Sequence, residues 1–398
     1  MITGHNIVIL STQDWDALPT RKHHWARRFA RQGNQVLYIE QQMHWLGWLV
    51  DLRRQLGRAV RWTAGPRQVE ERLWVYTLPI VLPFFQMAGF INRLNNLLLL
   101  PLLRSVLRRL GFGKVVLFAY TPHCGGLIGR LQERLSVYEC VDEFAAVRGL
   151  VYAPTLAALE REVLAAAGLT IVTHAHLLAR RQALTQRICV VPNGADLDHF
   201  AAAGAATTPV AAAVAALPRP VIGFHGWIQY WVDFDLIAHA ARSHPDWSFA
   251  LVGPVEPLAR VDKVRGLSNV HFLGRHSYQD MPNVVAGFDV CINPFVLNEL
   301  ADAVSPIKLY EYLASGKPVV SVDMPAANEF RGLIPLTRTR EQFVAALEQV
   351  LALAANANSA AQAAARKQSV AGYSWAARFA QMEAQVEPLL AAGQPAQY

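Results

Sequence analysis

The chain has 398 residues, 53% of them hydrophobic and 17% charged, which excludes a disordered chain and, at this length, calls for two domains rather than one core. Its cysteines (Cys124, Cys140, Cys189 and Cys291) form no CxxC pair, which excludes a disulfide scaffold and a zinc-finger site and suits a reducing compartment. The net charge is uneven: residues 1–200 hold 23 Lys and Arg against 14 Asp and Glu, a net +9, while the remainder nets −2. A basic first half fits an anionic partner or Arg-rich helix faces kept in water.

The opening Met1-Ile-Thr-Gly-His-Asn-Ile-Val-Ile-Leu lacks a basic leader region and reads as a first strand, Asn6–Ser11. Near-continuous apolar runs then mark strands at Gln35–Glu40, Leu73–Leu78, Lys114–Tyr120, Leu135–Val141, Leu169–Thr173 and Ile188–Asn193. Helical patterns lie between them at Thr20–Gln32, Ile91–Leu110, Thr155–Ala167 and Ala175–Gln186. The charge-free window from Leu73 to Asn92 contains Pro79, Pro83 and Gly89, so it reads as a strand followed by a loop, not as a membrane span.

The Ala-rich segment Ala201–Ala216 with Leu-Pro-Arg-Pro (217–220) reads as a linker. Beyond it the alternation restarts with strands at Val221–His225, Ser248–Gly253, Val270–Leu273, Val290–Pro294 and Pro318–Val322. Helices are expected at Asp233–Arg242, Tyr278–Ala286 and Pro306–Ala314, with a final amphipathic one over Ser374–Leu390. This is an α/β chain with two doubly wound, Rossmann-like domains. The expected boundaries are 1–205 and 215–373, with the tail 374–398 packing back on the first domain. Tandem open sheets imply a cleft between them, with functional residues just after strands.

The stretch Ser305-Pro306-Ile307-Lys308-Leu309-Tyr310-Glu311 opens a helix that Gly316 ends, with Ser305 as an expected N-cap. Its free N–H groups and Lys308 form a candidate phosphate site, and Glu311, three residues on, shares that face. The plain alternative is an amphipathic helix with Lys308 and Glu311 in solvent. Glu311-Tyr-Leu-Ala-Ser-Gly-Lys-Pro-Val-Val resembles the nucleotide-sugar motif of GT-B glycosyltransferases of the family 4-like group. Leu251-Val252-Gly253-Pro254, Val270 to Gly274, and Val191-Pro-Asn-Gly194 with Phe200 resemble its other landmarks, in order. The resemblance implies a GT-B fold and a nucleotide-diphosphate sugar donor bound by Lys308 and Glu311, with Ser305 and Arg275 in support. Two departures stand out. The partner glutamate of the family's Glu-x7-Glu pattern falls at Ala303, and Gly226-Trp-Ile-Gln-Tyr-Trp-Val-Asp233 replaces the usual basic pair. The Ser-x-x-Lys-Leu stretch resembles a branch of membrane-associated glucuronosyltransferases, in which a lysine here contacts the donor diphosphate.

In the first half, Val137-Tyr138-Glu139-Cys140-Val141-Asp142-Glu143 ends a strand and resembles the same branch's Tyr-x-x-x-Asp signature. That implies Asp142 as the general base on an acceptor hydroxyl, in an inverting transfer; a helix-capping aspartate is the alternative. The loop from Thr12 into the first helix offers Arg21 and His24 to an anionic acceptor or phosphate, or carries a basic helix turn of no function. Asp14-Trp-Asp16, Asp196-Leu-Asp198 and Asp233-Phe-Asp235 lie in different loops and read as helix caps, so no metal and no cofactor is expected. The segments Met43–Arg58 and Leu97–Arg109 mix Trp or Leu clusters with Arg, the composition of a helix in a bilayer interface or of an ordinary core-facing helix. No nucleic-acid motif is present.

The expectation is therefore an inverting, metal-independent glycosyltransferase using a nucleotide-diphosphate sugar. Its expected acceptor is a glycan or polyprenyl-diphosphate-linked glycan. It is expected in the cytoplasm, peripheral on the anionic inner face of the plasma membrane, serving cell-surface polysaccharide synthesis. A retaining transferase, a GT-B sugar-nucleotide epimerase and a non-catalytic membrane-associated glycan-binding subunit are the alternatives.

Overall fold

The computed structural model describes residues 1–42, 52–144, 151–354 and 359–393. The chain divides into two compact units, 1–192 with 378–398, and 193–377.

The first unit is built on an eight-stranded sheet. Its strands are β1 (Asn6–Leu10), β2 (Gln35–Ile39), β3 (Arg67–Glu70), β4 (Leu73–Tyr76), β5 (Val115–Ala119), β6 (Glu133–Cys140), β7 (Leu169–Val172) and β8 (Ile188–Val190), in the order β3-β4-β2-β1-β5-β6-β7-β8. All pairings are parallel except β3 with β4. The central strands are buried apart from the half-buried Asn6 and Gln35 that open β1 and β2, because helices cover both faces, as their apolar runs require. Those helices are α1 (Arg21–Arg31), α2 (Leu52–Ala64), α3 (Gly89–Arg109), α4 (Ala153–Ala166) and α5 (Ala175–Arg181). The polar β3 is an antiparallel edge strand that the apolar pattern does not signal.

The second unit has six parallel strands: β9 (Val221–His225), β10 (Ser248–Val252), β11 (Val270–Gly274), β12 (Val290–Asn293), β13 (Val319–Val322) and β14 (Leu336–Thr337). They run in the order β11-β10-β9-β12-β13-β14. The helices that follow in chain order are α6 (Leu197–Ala201), α7 (Ala212–Ala215), α8 (Phe234–Ser243), α9 (Met281–Ala286), α10 (Glu299–Ala303), α11 (Ile307–Ser315), α12 (Arg340–Ala354), α13 (Ser359–Ser369) and α14 (Trp375–Ala391).

The Ala-rich segment is not a free linker. Phe200, Ala203 and Val214 are buried in the second unit's core, so that unit begins at Asn193 instead of 215. Alanine composition hid this, because small side chains pack closely without a strong apolar pattern. From Arg378 onward α14 belongs to the first unit, where Phe379 meets the rings of Trp25 at 5.3 Å and Phe29 at 4.9 Å.

Each sheet reverses its strand order once, between β1 and β5 in the first unit and between β9 and β12 in the second. The carboxyl ends of the strands flanking such a reversal leave a crevice where doubly wound folds bind ligands.

Candidate functional site

In the second unit, β9 ends in His225-Gly226 and β12 runs into Pro294-Phe295, so these residues rim the crevice. Lys308 reaches it from the first turn of α11, placing its ammonium 5.6 Å from the Phe224 ring and 5.9 Å from the Phe295 ring. The lysine stem lies directly over Gly226, where a Cβ would stand 2.0 Å from Lys308 Cε, and Gly226 has a φ of +131°. Only glycine leaves that space. Gly253 repeats the device one strand over: its Cβ would meet the Gly226 carbonyl at 1.9 Å.

Glu311, buried one turn along α11, faces the same crevice. Its carboxyl is pushed up to about 7, chiefly by burial, with Asp196 adding to the rise and Lys308 opposing it. Burial likewise pulls Lys308 below the usual lysine range, with Glu311 restraining the fall. His225 stands 3.5 Å from Glu311 but makes no aligned hydrogen bond, so its Nε2 is a buried polar atom without a partner. Burial and the Lys308 charge lower that imidazole to about 3, leaving it neutral. Phe200 stacks on His225 at 5.7 Å, and the Asn193 amide donates to the Ser305 carbonyl just before α11 at 3.0 Å. Within the second unit, Asn193 and the landmark segments 251–254 and 305–311 thus meet around one crevice.

Ser305 is not the helix cap. Pro306 occupies the cap position, and the buried Ser305 hydroxyl pairs with the Tyr310 hydroxyl at 2.9 Å. Arg275 is exposed just after β11, the edge strand, with β10 between it and β9. His225 and Asp196 were not singled out as binding groups from the sequence. A histidine closing an apolar strand and an aspartate before a short helix look structural until the fold gathers them.

The raised Glu311 fixes a testable pH dependence. Its folded value lies above the unfolded carboxylate range, so the stability it contributes is present below about pH 4.5 and lost as pH rises through about 7. Glu311→Gln removes this titration. Thermal unfolding of variant and parent from pH 4.5 to 8 should therefore move steadily in the variant's favour; a constant difference contradicts the assignment.

In the first unit the crevice between β1 and β5 contains Lys22, which the sequence did not single out. Its ammonium donates to Thr12 Oγ1 at 2.6 Å and lies 5.4 Å from the Tyr120 ring. Burial lowers it to about 8 against the pull of Asp142 and Glu139. Asp142 follows β6 and is open to solvent, yet crowded by enough surrounding protein to raise its carboxyl, with Lys22 holding it down.

Arg21 and His24 do not present charge to a ligand, contrary to the sequence expectation. Arg21 is buried against Glu139 and donates to the carbonyls of Val191 at 2.8 Å and Pro192 at 2.9 Å. His24 is pushed down to about 3, first by burial and then by His23 and nearby arginines, so it carries no positive charge. Glu139 also accepts from Trp25 at 2.8 Å and Tyr120 at 2.8 Å, and Glu143 is held by Arg181 at 3.0 Å. Of the three acids in this stretch, Asp142 alone is exposed.

The paired-aspartate strings have separate local roles. Asp196 and Asp233 accept from backbone N–H groups at the starts of α6 and α8, whereas Asp14 pairs with Arg58 and Asp16 with Arg67. Among the described residues no group of three or more His, Cys, Asp or Glu side chains is arranged to hold a metal ion.

Two parallel-sheet units with these strand orders define the GT-B fold, as the motif resemblance implied. Residues 219–354, within the second unit, match the family described as glycosyl transferases group 1. The chain is 29% identical over 210 residues to a putative teichuronic acid biosynthesis glycosyltransferase, TuaH, of Bacillus subtilis. That match spans 49% of this chain and only about half, 52%, of the relative. Sucrose-phosphate synthase from Thermosynechococcus elongatus superposes with a TM-score of 0.71 at 16% identity, over 98% of this chain and 100% of that one. An Anabaena protein, HepE, solved with UDP and glucose, gives 0.62 at 15% identity, over 96% and 100%.

Among the described residues, no helix is long and apolar enough to cross a membrane.

Proposed function

We propose that this protein is a glycosyltransferase that moves a sugar from a nucleotide-diphosphate donor to a lipid-linked glycan in the synthesis of a cell-surface polysaccharide. It works as a peripheral protein on the inner face of the plasma membrane. The observation that carries this reading is the convergence of Lys308, Glu311 and the unpartnered His225 at the β9–β12 reversal. The group 1 family match and the polysaccharide-synthesis relative support it.

In this reading the donor diphosphate lies at the start of α11. Lys308 and the free N–H groups of that helix stabilise it, so no metal is required. Glu311 accepts from the donor's ribose hydroxyls, and the His225 Nε2 gains the partner it lacks. Asp142 takes the proton from an acceptor hydroxyl, whose oxygen forms a bond to the anomeric carbon as the carbon–oxygen bond to phosphate breaks. The electron pair leaves with the nucleoside diphosphate, and the anomeric configuration inverts.

Lys308→Ala should weaken nucleoside-diphosphate binding by roughly 1–3 kcal/mol, the scale of a charge-assisted hydrogen bond, while nucleoside binding changes much less. Calorimetric titration of both ligands checks this. Equal loss for the two would make Lys308 a structural residue and overturn its role at the phosphates.

A further inference from the structure

The first half of α3 is packed inside out. Asn92, Asn95 and Asn96 are buried, while Phe90, Leu97 and Leu98 are 72%, 59% and 60% exposed. The asparagines have structural work. Asn92 and Asn96 donate to the His123 carbonyl at 3.0 and 2.7 Å, and Asn95 exchanges two hydrogen bonds with the Leu82 backbone at 3.0 and 3.1 Å. The Asn95 pair holds the loop before α3, in which Leu82, Phe84 and Met87 are also exposed. A soluble helix normally presents the opposite face to water, and a contiguous apolar surface of this kind marks an interaction site.

We infer that this face docks on an anionic lipid bilayer, with the loop side chains and the first half of α3 entering the acyl boundary. This rests on the lipid-linked acceptor proposed above. Charge along the same helix favours a bilayer as the occupant. Continuing the stripe of Leu94, Leu97 and Pro101 by steps of three and four residues leads to exposed Arg104 and Arg108, so apolar groups give way to guanidinium groups along one face. Arginines beside an apolar wedge suit anionic headgroups. The loop also connects this surface to the first unit's crevice. Between exposed Phe84 and Met87, Phe85 and Gln86 line a cavity of about 260 Å³ shared with Thr12, Leu103 and His123. The His123 Nε2 is a buried atom without a partner. A lipid-borne acceptor drawn from the docked bilayer would enter there, near Lys22.

The test uses the full chain with vesicles of phosphatidylglycerol and phosphatidylcholine at low salt. The parent should sediment with the anionic vesicles and be released by high salt. Leu97→Glu with Leu98→Glu, both on an exposed face, should weaken vesicle binding by about a hundredfold. Leu258→Glu, an exposed leucine of the second unit, should change nothing. Equal binding by the parent and the double variant overturns the proposal. So does a parent dimer, seen by sedimentation velocity without lipid, that the double variant breaks, because a second copy would then cover this face. Lipid-free titration with nucleoside diphosphates on the same preparations separates the two readings. A parent that binds vesicles but no nucleotide supports the docking surface and overturns the donor site.

Discussion

Asp142→Asn should lower turnover about 10²–10⁴-fold while leaving donor affinity within about tenfold of the parent. Asparagine keeps the shape and the hydrogen-bonding oxygen of the aspartate but cannot take a proton. The residue is exposed just past β6, so the change leaves no buried group unpaired and the fold should be unaffected. Donor binding is assigned to the second unit, which does not contain Asp142. Turnover with a lipid-linked acceptor and calorimetry with the donor, on one preparation, measure both quantities. Near-normal turnover would remove Asp142 from the chemistry. Glu139 and Glu143 could not take its place, being committed to Arg21 and Arg181.

Glu139→Ala should have the opposite signature, a loss of stability of about 3–5 kcal/mol, the scale for breaking one side of a buried ion pair. Three donors converge on this carboxylate, from Arg21, Trp25 and Tyr120, and none of the four side chains reaches solvent appreciably. Alanine strands the Arg21 charge in the core beneath the first crevice. Glu139→Gln retains an acceptor for Trp25 and Tyr120 and should cost less, though the guanidinium stays uncompensated. Denaturant unfolding of both variants checks the order. A Glu139→Ala variant as stable as the parent would contradict the buried ion-pair role.

The sheets were legible in the sequence because strands covered on both faces read as unbroken apolar runs, and β1, β2, β5, β9 and β10 lie where those runs predict. The edge was not: β3 is four residues of Arg-Gln-Val-Glu, and β14 is too short to carry a pattern. Lys308 and Glu311 could be named together as candidates because helix start, spacing and motif occupy one continuous segment. The first-unit residues could not be sorted the same way. Arg21 and Lys22 are adjacent, but successive helical residues point about 100° apart, so one turns inward to Glu139 and the other into the crevice beside Thr12. Only the packing of α1 on the sheet decides which does which. Composition likewise marked Leu97–Arg109 as interfacial or core-facing without choosing. The structure divides them: Leu99, Leu100, Leu103 and Leu107 face the core, while the inward hydrogen bonds of Asn92, Asn95 and Asn96 leave Leu97 and Leu98 exposed. The other interfacial candidate, Met43–Arg58, lies largely outside the described residues.

The central claim is that the β9–β12 crevice binds the diphosphate of a sugar nucleotide without a metal. Titrating the protein calorimetrically with UDP, GDP, ADP, CDP and dTDP, each with and without EDTA, tests it most directly. The account predicts that at least one of them binds, that EDTA leaves its affinity unchanged, and that Lys308→Ala weakens it. Binding by none of the five, or binding that EDTA abolishes, would contradict it.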